Sequence, residues 1–171
     1  LKFYIENGGE YYDITPIRDT NTGTATFSTV SGSTIVTVTD AGHGAQTGDF
    51  VTFTLSAPVG GLDLNHEYQI TYLTSNTYTI TAATAATSTV SGGGGALTVA
   101  AYQLTTGFDI YTIGTGWGAG PWSRLGWGSG FTTGIGLQLR LWSQTNFGEN
   151  LLFSPRGGAL YIWQPGIGAT P

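Results

Sequence analysis

The chain has 171 residues, no Cys, no Met, 9% charged residues and a formal net charge of −5. The absence of Cys excludes disulfides and thiolate metal sites, and five widely spaced basic residues argue against a nucleic-acid partner, which needs clustered positive charge. With 28 Gly among many Thr, Ser and aromatic residues, the composition favours short strands and tight turns, so it predicts an all-β structural or binding protein.

Two short strand candidates lie in residues 1–27, one around Tyr4 and one around Tyr12. Pro16 follows the second candidate and limits it to an edge or an end, because proline has no amide proton for a strand ladder. We therefore expect two short strands in this segment, with the second at the edge or the end of a sheet.

A five-residue repeat follows, since Ser28–Gly32 and Ser88–Gly92 both read Ser-Thr-Val-Ser-Gly. We predict that the two copies pair as neighbouring strands that lead into and out of a module. This predicts an inserted small β module at residues 28–102, and deletion of residues 33–90 should leave the remainder assembled.

Between the two copies, apolar residues alternate with Thr at period two, which is typical of half-buried strands. The positions expected to point inward are Val51, Phe53, Leu55, Tyr68, Ile70, Tyr72, Tyr78 and Ile80. The turn residues Thr74–Thr77 predict a hairpin, and no segment of ten residues has a convincing helical period. The fold class we expect is all-β, with a small antiparallel barrel or sandwich module inserted in a β-meander.

Residues 103–171 continue with strand candidates at 108–113, 137–142, 151–153 and 160–163. Short strands separated by Gly-containing turns are typical of a propeller blade or another β-meander, which residues 1–27 would complete. Because one blade cannot bury both of its faces, we interpret the chain as a fragment of a longer protein. The candidate interface residues of this meander are Trp142, Phe147, Phe153, Tyr161 and Trp163.

A Gly/Trp tract covers residues 114–130. Its segment Gly114–Ala119 satisfies the loosest dinucleotide motif, but the glycines and the proline that follow provide no helix to receive a pyrophosphate, so we reject a nucleotide site. The tract has two remaining interpretations. Its rings pack in a tight loop, or they form a platform that stacks on sugars, for which the candidates are Trp117, Trp122 and Trp127.

The loop His43–Asp49 is the other segment with chemistry-bearing side chains. A metal or acid/base role is one interpretation; the other is that His43 packs while Asp49 caps backbone amides. The sequence His66-Glu67 lacks the second His of a zinc-binding motif, and no nucleophile elbow or phosphate-binding loop is present. We predict no catalytic residues, no metal, no cofactor and no enzymatic activity.

Four blocks of the chain resemble virion structural proteins of tailed bacteriophages: residues 11–18, 40–53, 116–122 and 140–152. Their order is similar to tail-tube or nozzle proteins of short-tailed phages, which are several times longer. The central block also resembles, in fold only, the first catalytic cysteine half-domain of ubiquitin-activating enzymes.

The resemblance to phage virion proteins implies a β-propeller body with small β inserts and a non-catalytic assembly role in the virion. The partners would be other copies of the chain or other virion proteins, with no nucleic-acid specificity.

A membrane span is excluded because no apolar run approaches about 20 residues. The alternative function is a glycan-binding module of a tail spike or adhesin that uses the Gly/Trp tract.

Overall fold

The computed structural model describes residues 2–93, 95–105 and 141–165, and within these ranges the secondary structure is all strand. The strands are β1 Tyr4–Asn7, β2 Glu10–Asp13, β3 Ile17–Thr22, β4 Thr26–Thr29, β5 Ile35–Thr39, β6 Phe50–Thr54, β7 Glu67–Gln69, β8 Thr71–Thr74, β9 Thr77–Thr81, β10 Val90–Gly92, β11 Val99–Gln103, β12 Trp142–Phe147, β13 Asn150–Pro155 and β14 Tyr161–Trp163. The predicted all-β fold is confirmed. No helix in the described ranges is long and apolar enough to cross a membrane.

The described residues fall into two compact units. The first unit, residues 2–93 and 95–105, contains the hairpin β1–β2, a five-stranded sheet in the order β10-β4-β5-β9-β8 and a four-stranded sheet in the order β3-β11-β6-β7. All neighbouring strands are antiparallel. The two larger sheets share one core, and no closed barrel forms among the described residues, so the sandwich form of the prediction is the one observed.

The core of the first unit lies between these two sheets and follows the predicted alternation. Phe27 of one sheet meets Phe53 of the other edge to face, with ring centroids 5.0 Å apart. Both rings are fully buried, as are Val36, Val38 and Ile80. Burying side chains of this size stabilises the fold by about 2–3 kcal/mol each, so the core is the main source of stability in this unit.

The two Ser-Thr-Val-Ser-Gly copies pair as predicted. Strand β10 runs antiparallel to β4, with Ser91 opposite Ser28 and their hydroxyl oxygens 2.9 Å apart. The backbone amide of Ser31 also donates to Oγ1 of Thr89 at 2.9 Å. Strand β3, which precedes the first copy, pairs with β11. The module boundaries at residues 28 and 102 remain a prediction.

Two inward-facing positions were predicted wrongly. Leu55 is 68% exposed because β6 ends at Thr54 and the chain turns there, with Leu55 at φ +59°. Tyr72 is 44% exposed because the expected continuous strand is interrupted at Ile70. Strand β7 before the break pairs with β6, whereas β8 after it pairs with β9, so the chain crosses from one sheet to the other at this point.

The second unit, residues 141–165, is a three-stranded antiparallel sheet in the order β12-β13-β14. Gly148, at φ +64°, allows the tight turn between β12 and β13, a conformation that residues with a Cβ rarely adopt. The predicted strand at 137–142 lies partly outside the described residues, and the one at 108–113 lies wholly outside them. A meander of three strands is observed; the propeller body remains a prediction.

Candidate functional site

Four of the five candidate interface residues share one face of the three-stranded sheet. Cross-strand partners point to the same side, and the register places Trp142, Gln144 and Asn146 of β12 on the side of Phe153. The register of β14 adds Tyr161 and Trp163 to that side. We call the surface formed by Trp142, Phe153, Tyr161 and Trp163 the aromatic face.

The rings of the aromatic face contact one another. Trp142 and Phe153 have centroids 6.0 Å apart, and Phe153 and Tyr161 have centroids 5.9 Å apart. Phe153 is buried, whereas the other three residues are half-buried. The indole Nε1 of Trp163 is buried and has no hydrogen-bond acceptor within the described ranges. No hydrogen bond from these residues compensates for the water that this N–H group has lost.

Phe147 lies on the opposite face of the same sheet, an odd number of residues from Trp142 along β12. It is 67% exposed, and Ile162, which lies opposite Leu152 on that side, is 52% exposed. The second unit therefore carries large apolar side chains on both faces. The candidate glycan platform of Trp117, Trp122 and Trp127 lies outside the described residues and remains a prediction.

His43 and Asp49 are both used inside the first unit. The His43 ring is buried against Tyr78, with centroids 4.9 Å apart. Its Nδ1 accepts the amide proton of Ala45 at 3.0 Å, so the ring proton is on Nε2, which lies 3.0 Å from the carbonyl oxygen of Thr74. This geometry leaves neither ring nitrogen free for a metal ion or a substrate.

The Asp49 carboxylate accepts the backbone amide of Gln46 at 2.9 Å and the hydroxyl of Thr105. This agrees with the interpretation of His43 as a packing residue and Asp49 as a capping residue. Within the described ranges no three His, Asp or Glu side chains form a group that could hold a metal ion.

A fully buried aspartate lies at the centre of a hydrogen-bond network that our sequence analysis missed. Asp40 Oδ2 accepts the hydroxyl of Tyr102 at 2.6 Å and the amide of Asn21 at 2.9 Å. Asp40 Oδ1 accepts the hydroxyl of Thr24 at 2.7 Å, and the hydroxyls of Tyr78 and Tyr102 lie 3.0 Å apart. Burial raises the pKa of both phenols, so both remain protonated and able to donate.

Lys2 ties the N-terminal hairpin to the edge strand β7. Its ammonium lies 2.6 Å from Asp13 Oδ2 and 2.6 Å from Glu67 Oε2, and 4.8 Å from the centre of the Phe50 ring. Burial lowers the pKa of Lys2, but the hydrogen bonds to the two carboxylates outweigh it and raise that pKa. Burial raises the pKa of Asp13, but the hydrogen bonds from Lys2 and Thr15 outweigh it and hold the pKa below its ordinary value of 3.8.

These shifts predict a loss of stability in acid. The pKa of Asp13 is lower in the folded state than the 3.8 of a free side chain. The ionised Asp13 therefore stabilises the fold above pH 3.8, and this stabilisation is lost as the pH falls through the folded pKa. The pKa of Lys2 is raised above the 10.5 of a free side chain. The protonated Lys2 therefore stabilises the fold below pH 10.5, and this stabilisation is lost as the pH rises through the folded pKa. Urea unfolding at about pH 7 and about pH 3 should show a smaller acid loss in Lys2→Met than in the parent. Equal losses in the two proteins would contradict this assignment.

No protein-family model and no curated protein matches the chain. Among solved structures, the chain is similar to one named Phage phi92 endosialidase, with 26% identity over 54% of this chain and a TM-score of 0.44. The match spans 13% of that protein's length, and a TM-score of this size does not establish a common fold.

The neighbour is a phage protein and, by its name, an enzyme. This finding contradicts our expectation that the chain has no enzymatic activity, and we withdraw that expectation. The tail-tube, nozzle and propeller interpretations remain predictions.

Proposed function

We propose that the chain is a structural part of a phage tail and that the sheet β12-β13-β14 packs against a neighbouring copy or another virion protein. The phage part of the proposal comes from the sequence resemblance of residues 11–18, 40–53, 116–122 and 140–152. The interface part comes from the second unit. The localisation that follows is the virion.

The interface proposal is supported by the large apolar side chains that the three-stranded sheet carries on both faces. The aromatic face is half-buried, while Phe147 and Ile162 are exposed on the other side, with Leu160 next to β14 also 68% exposed. A sheet packs stably when each apolar face is covered by another layer, and within the described residues the exposure of Phe147 and Ile162 shows that their face is not covered. Stacked blades or subunits would cover both faces in the way that the propeller interpretation requires.

We predict that Phe147→Ala and Trp142→Ala each weaken self-association of the chain. Full burial of an exposed large ring contributes about 2–3 kcal/mol, so Phe147→Ala should raise the dissociation constant at least about thirtyfold. The rise should be smaller for Trp142→Ala, because Trp142 is already half-buried within its own chain. Sedimentation velocity over a concentration series measures this rise. Phe147 is exposed within its own chain, so its removal should leave the fold intact.

The matched control is Tyr11→Ala, because Tyr11 is a 75% exposed ring on β2 of the first unit. This variant should associate like the parent. The circular dichroism of the first unit should also be unchanged in all three variants. If Tyr11→Ala weakens association as much as Phe147→Ala does, the sheet β12-β13-β14 is not the interface.

A further inference from the structure

A cavity of about 540 Å³ lies in the first unit, between the loop that contains His43 and the β8–β9 hairpin. The residues that line it are Gly42, Gly44, Ala45, Gln46, Thr47, Tyr72 and Ser75. Its volume is within the range of small-molecule sites. None of these side chains carries a charge, which favours an uncharged ligand.

The lining combines one exposed ring with hydrogen-bonding groups. Tyr72 is 44% exposed on the edge strand β8. The side chains of Gln46 and Ser75 are exposed and, within the described ranges, have no hydrogen-bond partner. The Thr47 hydroxyl accepts the Tyr72 amide at 3.0 Å, which leaves its own proton available to a ligand.

The two walls of the cavity are fixed to each other before any ligand binds. Asn76 on the hairpin accepts the Asp40 amide through its carbonyl at 2.9 Å and the Gly42 amide through Oδ1 at 3.1 Å. His43 Nε2 donates to the Thr74 carbonyl on the same hairpin at 3.0 Å. A preformed site avoids the cost of ordering two loops on binding.

Bare backbone is accessible at the loop side of the cavity. Gly42 has φ +69°, and a Cβ placed there would meet no atom within 4 Å. Arg18 adjoins Gly44, but its guanidinium donates to the His43 carbonyl at 2.8 Å and packs over Tyr102, and it is not part of the lining.

We propose that this cavity binds one unit of an uncharged saccharide. The C–H face of a sugar ring would stack on Tyr72, and its hydroxyls would exchange hydrogen bonds with Gln46, Thr47 and Ser75. An apolar ligand would make no hydrogen bond with these three side chains, and the lining contains no charge that would pair with an ionic ligand. The inference goes beyond the assembly role and uses none of the residues of the β12-β13-β14 sheet.

The test begins with the 171-residue chain on an array of uncharged oligosaccharides, with sialylated and sulfated ones for comparison, followed by calorimetric titration of the strongest binder. We expect saturable binding to an uncharged saccharide. Tyr72→Ala should weaken it about tenfold or more, because the stacking surface is lost, while Tyr72→Phe should retain it. The matched control is Leu73→Ala, since Leu73 is the next residue on β8, is 51% exposed and does not line the cavity.

Three results would overturn the proposal. The first is no binding of any uncharged saccharide at millimolar concentration, and the second is binding confined to acidic saccharides. The third is binding that survives Tyr72→Ala and is lost in Trp117→Ala, which would assign it to the Gly/Trp tract. Self-association should be the same in Tyr72→Ala and in the parent, so failure of this proposal is distinguishable from failure of the assembly role.

Discussion

Asp40→Ala should lower the free energy of unfolding of the first unit by about 3–5 kcal/mol, which is a large part of the total stability of a domain of this size. The substitution removes the acceptor of three donors, on the buried Tyr102, the half-buried Asn21 and the exposed Thr24. Each buried donor left without a partner costs about 1–3 kcal/mol, whereas the Thr24 hydroxyl can donate to water. Urea unfolding followed by circular dichroism measures the change.

Two further variants separate the hydrogen-bond network from a general effect of charge. Asp40→Asn keeps the shape of the side chain but places an amide donor against donors, so it should also destabilise the first unit. Asp19→Ala removes an exposed carboxylate whose hydrogen bond within the described residues comes from the neighbouring Thr20 amide, and it should change stability by less than about 1 kcal/mol. If Asp19→Ala and Asp40→Ala lower the free energy of unfolding by similar amounts, Asp40 does not have the central role in stability that we assign to it.

Gly93→Ala should destabilise the first unit by about 2–5 kcal/mol. Gly93 has φ +72°, and a Cβ at this position would overlap the buried side chain of Val59, which is stiff because it is β-branched. The cost therefore combines backbone strain with a displacement in the core. Thermal or urea unfolding of the variant measures this sum.

The chain offers a matched control at Gly32, the last residue of the first Ser-Thr-Val-Ser-Gly copy. Gly32 has φ +80°, but a Cβ there meets no atom within 4 Å, so Gly32→Ala isolates the backbone strain. It should cost about 1–2 kcal/mol, less than Gly93→Ala. If Gly32→Ala and Gly93→Ala lower the free energy of unfolding equally, the contact with Val59 does not contribute to the destabilisation.

The pairing of β4 with β10 and the burial of Val51, Phe53, Tyr78 and Ile80 were predictable from sequence. Period-two alternation reports burial of one strand face directly, and a repeated segment of strand-forming residues indicates equivalent positions in a sheet. These signals are local, so a short window of sequence contains all the information they need.

The break at Ile70 was not predictable by the same means. Ile70 is buried, as an alternating strand requires, yet its amide donates to the Asp49 carbonyl at 2.8 Å and its carbonyl accepts the Gly48 amide at 2.9 Å. The chain thus changes sheets without changing its hydrophobic pattern. Asp40 was missed for a related reason: its donors on Asn21, Thr24 and Tyr102 are 16 to 62 residues away in sequence, so no local pattern marks them.

The candidate interface was predicted in composition but not in geometry. The odd separation of Trp142 and Phe147 places them on opposite faces once β12 is known to be continuous. The position of Phe153 beside Trp142 depends on the turn at Gly148, which sets the register of β13. The cavity at Tyr72 was not predicted at all, because its exposure results from the break at Ile70.

The most direct test of the assembly role is sedimentation of the unmodified chain from about one to several tens of micromolar, with tryptophan fluorescence recorded in parallel. All five Trp residues of the sequence lie beyond residue 116, so the fluorescence reports on the C-terminal part of the chain. We expect association with rising concentration, accompanied by a blue shift as the half-buried Trp142 and Trp163 of the aromatic face become covered. A well-dispersed monomer throughout this range, with Trp142 and Trp163 both buried within it, would contradict the assembly role.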